Sequence, residues 1–217
     1  MLFSTNAPTF VSKSVNIKNH IMAQPVFYTQ PQIEKIGNAI IYLSNHIPDL
    51  NKTKLLKLLY LIEQISIQKY GFPFFNIRFD VWKYGPVSKD LFIELSDTPE
   101  LLKAYITIDK CEDTPFITVK KDFDDDEFSD NDIAILDYVV THFQNASAAY
   151  LVRLTHNEHS PWHQTAIRHG LLQAFELGQC TSTDIEIDFS TIFTDDNQRA
   201  FYLENKELLA FSQHLKT

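Results

Sequence analysis

Four histidines crowd one stretch of the chain: His156, His159, His163 and His169, with Glu158 among them. His156 and His159 stand three apart, and His159 and His163 four apart. On one continuous helix that spacing would place imidazoles on a shared face, where they could hold zinc. Pro161 interrupts it. A proline disfavours helix at the residue before it, here Ser160, and so splits the face. No His-Glu-x-x-His is present. The histidines therefore read as surface and capping residues, and a metal-dependent hydrolase using the His156–His169 cluster stands as the alternative.

A second cluster is acidic. Between Asp122 and Asp132 seven residues are Asp or Glu. The order Asp122, Asp124, Asp126, Phe128 lacks the glycine and the distal Glu that a calcium loop needs. A solvated loop leading into a helix is expected, and Asp124, Asp125, Asp126 and Glu127 are its candidates for contact with a basic partner. Cys111 and Cys180 are too few for a disulfide framework, although a single bridge stays open, and both read as ordinary thiols. There is no Gly-x-x-x-x-Gly-Lys-Ser/Thr, no Gly-x-Gly-x-x-Gly, no Gly-x-Ser-x-Gly and no Cys-x-x-Cys. The expectation is a protein that is not an enzyme, with no catalytic residue, cofactor or metal to assign.

The composition agrees with a binding role. A chain of 217 residues with 44% apolar residues can bury one sizeable core, which excludes global disorder. Only five glycines argue against phosphate loops and many-turned all-β folds. No apolar run reaches membrane-spanning length, and the cysteine usage suits a reducing cytoplasm. A net charge of −9 opposes a grip on phosphate backbones, so neither nucleic acid nor membrane is an expected partner. Glu176 to Asp196 adds six acids and no Lys or Arg, whereas the first 32 residues hold Lys13 and Lys18 and no acid.

The elements that must position these groups are mostly helical. Residues 1–32 lack a sustained period and read as a loose arm, with Met22 as an alternative start. Ile33, Ile36, Ile40, Ile41 and Leu43 predict a first helix closed by Pro48. Asn51 caps a second, in which Leu55, Leu58, Leu59, Ile62 and Ile65 form a stripe that Leu56 and Leu61 widen, so it is expected to be central. Gly71 and Pro73 end it. Phe75, Ile77, Phe79 and Val81 alternate as in a half-buried strand within 74–83, stopped by Gly85-Pro86, with Pro86 opening a further helix. Within that corner Trp82 or Tyr84 is expected to stack on the second helix through Tyr60. Tyr105–Ile108 and Phe116–Val119 predict a hairpin around a polar link from Asp109 to Pro115. Helices follow near Asn131–Gln144, Ser147–Thr155 and Trp162–His169, then a strand over Ile185–Phe189 and a terminal helix over Gln198–Leu215. The fold class is α+β, predominantly α-helical, with a compact helical core and a small antiparallel β-hairpin or sheet.

Four segments resemble a known family. Lys54-Leu55-Leu56-Lys57-Leu58-Leu59-Tyr60, Tyr70-Gly71-Phe72-Pro73-Phe74-Phe75, Trp82-Lys83-Tyr84-Gly85-Pro86-Val87 and Leu154-Thr155-His156-Asn157-Glu158-His159-Ser160-Pro161-Trp162 are similar, in that order, to the motifs of the Panacea domain, also called the SocA-like antitoxin domain. Val81 departs from the family's usual small residue before the tryptophan, and His163 from a frequent basic one. The resemblance covers about 33–170 and leaves 171–217 as a C-terminal extension packed on the domain. Lys57, Leu58, Leu59, Tyr60, Trp82, Tyr84, Gly85, Pro86, Val87, Thr155, His156, Ser160, Pro161 and Trp162 carry it, and on their own chemistry they read as structural.

The resemblance implies a cytoplasmic bacterial or phage antitoxin that neutralises the toxin of the adjacent gene by direct binding. The alternative is an adaptor that delivers the toxin to a protease. A DNA-binding regulator would need a basic recognition helix, and none is found. Because family members face unrelated toxins, specificity is expected in the acidic loop or in the segment after Leu171. The toxin's class and the oligomeric state stay open.

Overall fold

A computed structural model describes residues 28–111 and 114–214. The helices are α1 (Gln30–His46), α2 (Lys52–Tyr70), α3 (Lys89–Glu94), α4 (Asp130–Phe143), α5 (Ala148–Thr155), α6 (Pro161–Arg168), α7 (Leu171–Glu176) and α8 (Asp196–His214). Two antiparallel hairpins interrupt them, β1 (Asp80–Trp82) with β2 (Gly85–Val87) and β3 (Ile106–Cys111) with β4 (Thr114–Val119). The fold is thus α+β and predominantly helical. Most of the expected arm, the link's centre at 112–113 and the expected helix end at Leu215 fall outside the described residues.

The centre is α2. Asn51 accepts the Lys54 N–H at 2.9 Å to start it, and Gly71 ends it at φ +73°. Leu55, Leu56, Leu58, Leu59, Tyr60, Leu61 and Ile62 are all buried, so apolar side chains point outward in every direction from its middle. Burying each Leu or Ile contributes roughly 1.5–3 kcal/mol. The surrounding layer is α4, α5, β2, β4 and the 3-10 turn Phe189–Ile192, with α1 packed on α4. Ser129 and Ser147 cap α4 and α5 through their hydroxyls.

A helix buried on all sides must also hide its polar residues, and here main-chain atoms receive them. Lys54 donates to Gln144 O at 2.8 Å, Lys57 to Pro86 O at 2.9 Å, and Glu63 accepts from Phe74 N at 2.9 Å and Phe75 N at 2.7 Å. Among the described residues none of the three has an ion-pair partner.

The Glu63 contacts explain why the expected long strand is short. Residues 74–76 send backbone bonds to side chains: to Glu63, and to Gln32, whose Nε2 donates to Phe75 O and Asn76 O at 3.2 Å each. Phe74 and Phe75 are adjacent and both buried, so an inside–outside alternation begins only after them, and only Asp80–Trp82 forms a strand. Gly85-Pro86 does not stop that strand but forms its hairpin partner, with Trp82 opposite Gly85 and Val81 opposite Pro86. The following helix therefore opens two residues after Pro86, at the cap Ser88. The expected strand over Ile185–Phe189 reduces to one bridge, Asp80 to Glu186, followed by the 3-10 turn. Val81 N donates to Ile185 O at 2.9 Å and Ile187 N to Phe79 O at 2.8 Å, so the tail still lines the free edge of β1. The hairpin strands β3 and β4 also extend into what reads as a link.

Burial pushes the Glu63 carboxyl from its ordinary 4.5 up to about 7, against the lowering effect of the backbone N–H groups. A raised carboxyl holds its proton in the folded chain after the unfolded chain has lost it. Its contribution is complete below the unfolded value and is lost as pH rises through about 7. Urea unfolding of the parent should therefore show a loss on the order of 3 kcal/mol between about pH 4.5 and 7.5 from this group. Glu63→Gln should remove that part of the slope; an unchanged slope would exclude Glu63 as its source.

Candidate partner-binding site

Three of the motif segments meet at one point. Lys57 and Tyr60 stand three apart on α2 and so share a face, which is turned to the β1–β2 hairpin and α5–α6. Gly85 lies against them at φ +99°, a conformation that side-chain-bearing residues rarely adopt. A Cβ there would sit 2.8 Å from Lys57 Nζ, 3.0 Å from His156 Cε1 and 3.1 Å from Thr155 Oγ1. Burial, with no carboxylate to offset it, pulls Lys57 down to about 7, and it pushes the Tyr60 phenol up.

Around this contact, side chains bond to main chain. The His156 ring places its nitrogens 2.6 Å from Val152 O and 3.1 Å from Lys83 O, and lies 4.0 Å from Trp162. Trp162 Nε1 donates to Trp82 O at 3.0 Å, and Trp82 Nε1 donates to Thr183 O at 3.2 Å. Ser160 Oγ donates to Thr155 O at 2.8 Å and accepts the His163 N–H at 3.1 Å, which caps α6. Thr155 Oγ1 donates to Val152 O at 3.0 Å. Leu58, Leu59, Pro86, Val87 and Pro161 are buried alongside.

Two details differ from expectation. Trp82 packs on Phe92, with ring centroids 5.2 Å apart, while Tyr60 meets Phe79 at 5.3 Å and Phe189 at 5.6 Å. Tyr84 sits in the hairpin turn between Trp82 and Gly85 and faces solvent. The tail residue Phe189 occupies the place at Tyr60 that the sequence left to Trp82 or Tyr84.

The histidine stretch assembles no ligand set. His159 and His169 are exposed and His163 is half-buried on the other side of the break at Pro161. Among the described residues, three acidic or ligating side chains come within 4.8 Å of one another at Asp124, Asp125 and Asp126, all exposed. Their mutual proximity alone assigns no ion.

The acidic loop is held at both ends by rings. Phe123 packs on Tyr42 at 5.1 Å and on Phe128 at 5.7 Å, and Phe128 approaches Phe74 at 6.1 Å. Asn38, buried on α1, accepts the Asp124 N–H at 3.1 Å. These anchors turn the carboxylates of Asp124, Asp125 and Asp126 to solvent. Glu127 instead borders a hollow of about 330 Å³ shared with Gln32, Phe72, Phe75 and Leu209. The acidic loop and the tail, far apart in sequence, thus border one concavity. Phe72, 44% exposed, is a site residue that the sequence reading passed over as part of a turn. The signal for it is a bulky aromatic beside a helix-ending glycine, flanked by a proline.

Gly85→Ala should cost about 2–4 kcal/mol, from backbone strain and the displacement of Lys57, Thr155 and His156. Trp162→Ala should cost about 3–5 kcal/mol, and Trp82→Ala less because that ring is only half-buried. Chemical denaturation of the variants checks both. A Gly85→Ala protein as stable as the parent would remove the crowding argument.

Residues 55–163, which run from α2 into the first turn of α6 and make up half of the chain, match the family model described as antitoxin SocA-like, Panacea domain. No curated protein and no solved structure matches the chain. The matched stretch contains three of the four segments whole and the first from Leu55 onward, and three of the four are the ones that meet at Gly85. The chain belongs to the SocA-like antitoxin family, whose members carry the Panacea domain.

Proposed function

We propose that the chain is the antitoxin of a bacterial or phage toxin–antitoxin pair and neutralises the toxin encoded by the adjacent gene through direct protein–protein binding in the cytoplasm. Family membership is the observation that carries this reading. The geometry supports it from two sides. The polar groups of the motif residues are largely taken up by main-chain atoms, which suits a scaffold rather than a reaction centre. The exposed surface offers acid: Asp124, Asp125 and Asp126 on a ring-anchored loop, and Glu127 at the rim of the hollow. In this reading residues 33–170 form the domain, and the segment after Leu171 packs on it and contributes to specificity.

An acidic docking surface acts first on encounter. It raises the association rate of a cationic partner, and salt weakens the effect. No helix among the described residues is long and apolar enough to cross a membrane.

Co-expression with the adjacent gene should rescue growth, and the two products should co-purify. Rescue without a complex at micromolar concentration would replace direct binding by an indirect route, such as delivery to a protease. Replacing Asp124, Asp125, Asp126 and Glu127 by Asn and Gln should slow association severalfold and flatten its salt dependence. An unchanged rate and slope would remove the loop from the interface.

A further inference from the structure

Helix α8 is longer than its packing needs. It has 19 residues and is attached along one side: Tyr202 is buried against Phe193 at 5.7 Å, and Lys206 bonds Glu186 at 2.7 Å. The opposite side is open and mostly apolar. Phe201, Glu204, Leu208 and Phe211 follow at intervals of three, four and three, the spacing of a helix–helix seam. Leu208 is 66% and Phe211 63% exposed. Their row continues onto the family segment, because Phe201 meets Phe72 edge-on at 5.4 Å. Gly71 makes that contact feasible: a Cβ on it would lie 2.7 Å from the Phe201 ring. A second hollow, of about 430 Å³, opens beside Phe201 between the end of α2 and the start of α8.

Lys69 lines the far wall of that hollow, but along α8 itself the charge of this face is one-sided. Both basic residues of α8 are tied elsewhere, Arg199 to Asp196 at 3.0 Å and Lys206 to Glu186. Glu204 and Glu207 are exposed and have no ion pair among the described residues. A second copy of this chain would bring like charges together across the seam, which opposes self-pairing. A helix with an apolar stripe flanked by Lys or Arg would fill the row and pair the two carboxylates at once.

We infer that the outward face of α8, continued by Phe72, is the docking surface for a basic amphipathic helix of the partner. This rests on the antitoxin reading for the identity of the partner, but not for the chemistry of the face. It also gives the extension a role of its own: the family segment supplies Phe72 and Gly71, and the helix outside the matched residues supplies the seam.

The test uses the full chain and two probes. The first is a fluorescent peptide of about 14 residues, Leu and Lys arranged in two amphipathic heptads, compared with a scrambled peptide of the same composition. Anisotropy should show about tenfold tighter binding of the amphipathic peptide. Leu208→Ser/Phe211→Ser should abolish that preference, and Glu204→Gln/Glu207→Gln should weaken binding and its dependence on salt between about 50 and 300 mM. Both variants should melt like the parent, since the altered side chains are exposed. Equal binding of the two peptides, or variants that bind as the parent does, would overturn the inference. So would a dimer in sedimentation that Leu208→Ser/Phe211→Ser dissolves. The second probe is the adjacent gene's product. Growth rescue undiminished in Leu208→Ser/Phe211→Ser overturns the seam and leaves the antitoxin reading standing. A parent chain that rescues nothing overturns the antitoxin reading, while the peptide result still decides the seam.

Discussion

Three ionisable side chains on one buried helix set the arrangement of most other parts. Lys54, Lys57 and Glu63 lie inside the core with no ion-pair partner among the described residues, and each is satisfied by backbone atoms of a different segment. An unmet buried charge costs several kcal/mol, so each segment has to arrive with the right atom in place. Gln144 O fixes the link between α4 and α5, Pro86 O fixes the hairpin corner, and the Phe74 and Phe75 N–H groups fix the exit from α2. One helix thereby sets the positions of three regions that share no regular hydrogen-bond ladder with it.

This arrangement accounts for the residue types found in the matched segments. Lys57 needs a carbonyl, so Pro86 follows a glycine that lets the strand approach. Gly85 in turn leaves room that His156 and Thr155 occupy, and Ser160 and Trp162 hold their helix end against the same corner. Each residue type answers a local geometric demand.

The helices were largely legible in the sequence because their signals are local. Asn51, Ser129, Ser147 and Ser160 mark helix starts, Gly71 marks an end, and the leucine spacing of α2 announces burial on all sides. The strand expected over 74–83 shortens to Asp80–Trp82 because alternation reports burial, not bonding. Residues 75–79 alternate in burial, yet N–H and C=O groups of residues 74–76 go to Glu63 and Gln32, whose distance in sequence hides the contact. The helix opens at Lys89 and not at Pro86 for a related reason: a proline is equally at home in an edge strand, and Pro86 pairs there with Val81. Of the candidate surface, the acidic loop was visible from composition alone. Its meeting with Leu209 and Phe72 around one hollow was not, since that depends on how the tail returns over the core.

The chain of bonds from Trp162 Nε1 to Trp82 O and from Trp82 Nε1 to Thr183 O joins both tryptophans of the protein in one corner. Intrinsic fluorescence is therefore a local gauge. It reports the seam between α6, the β1–β2 hairpin and the tail segment that lines β1, and it rises or falls with the integrity of that corner. The acidic loop and the outer face of α8 carry no indole, so a ligand that settles there without disturbing the corner leaves the emission spectrum unchanged. A shift on mixing with a partner would instead report that the scaffold itself has been strained or opened.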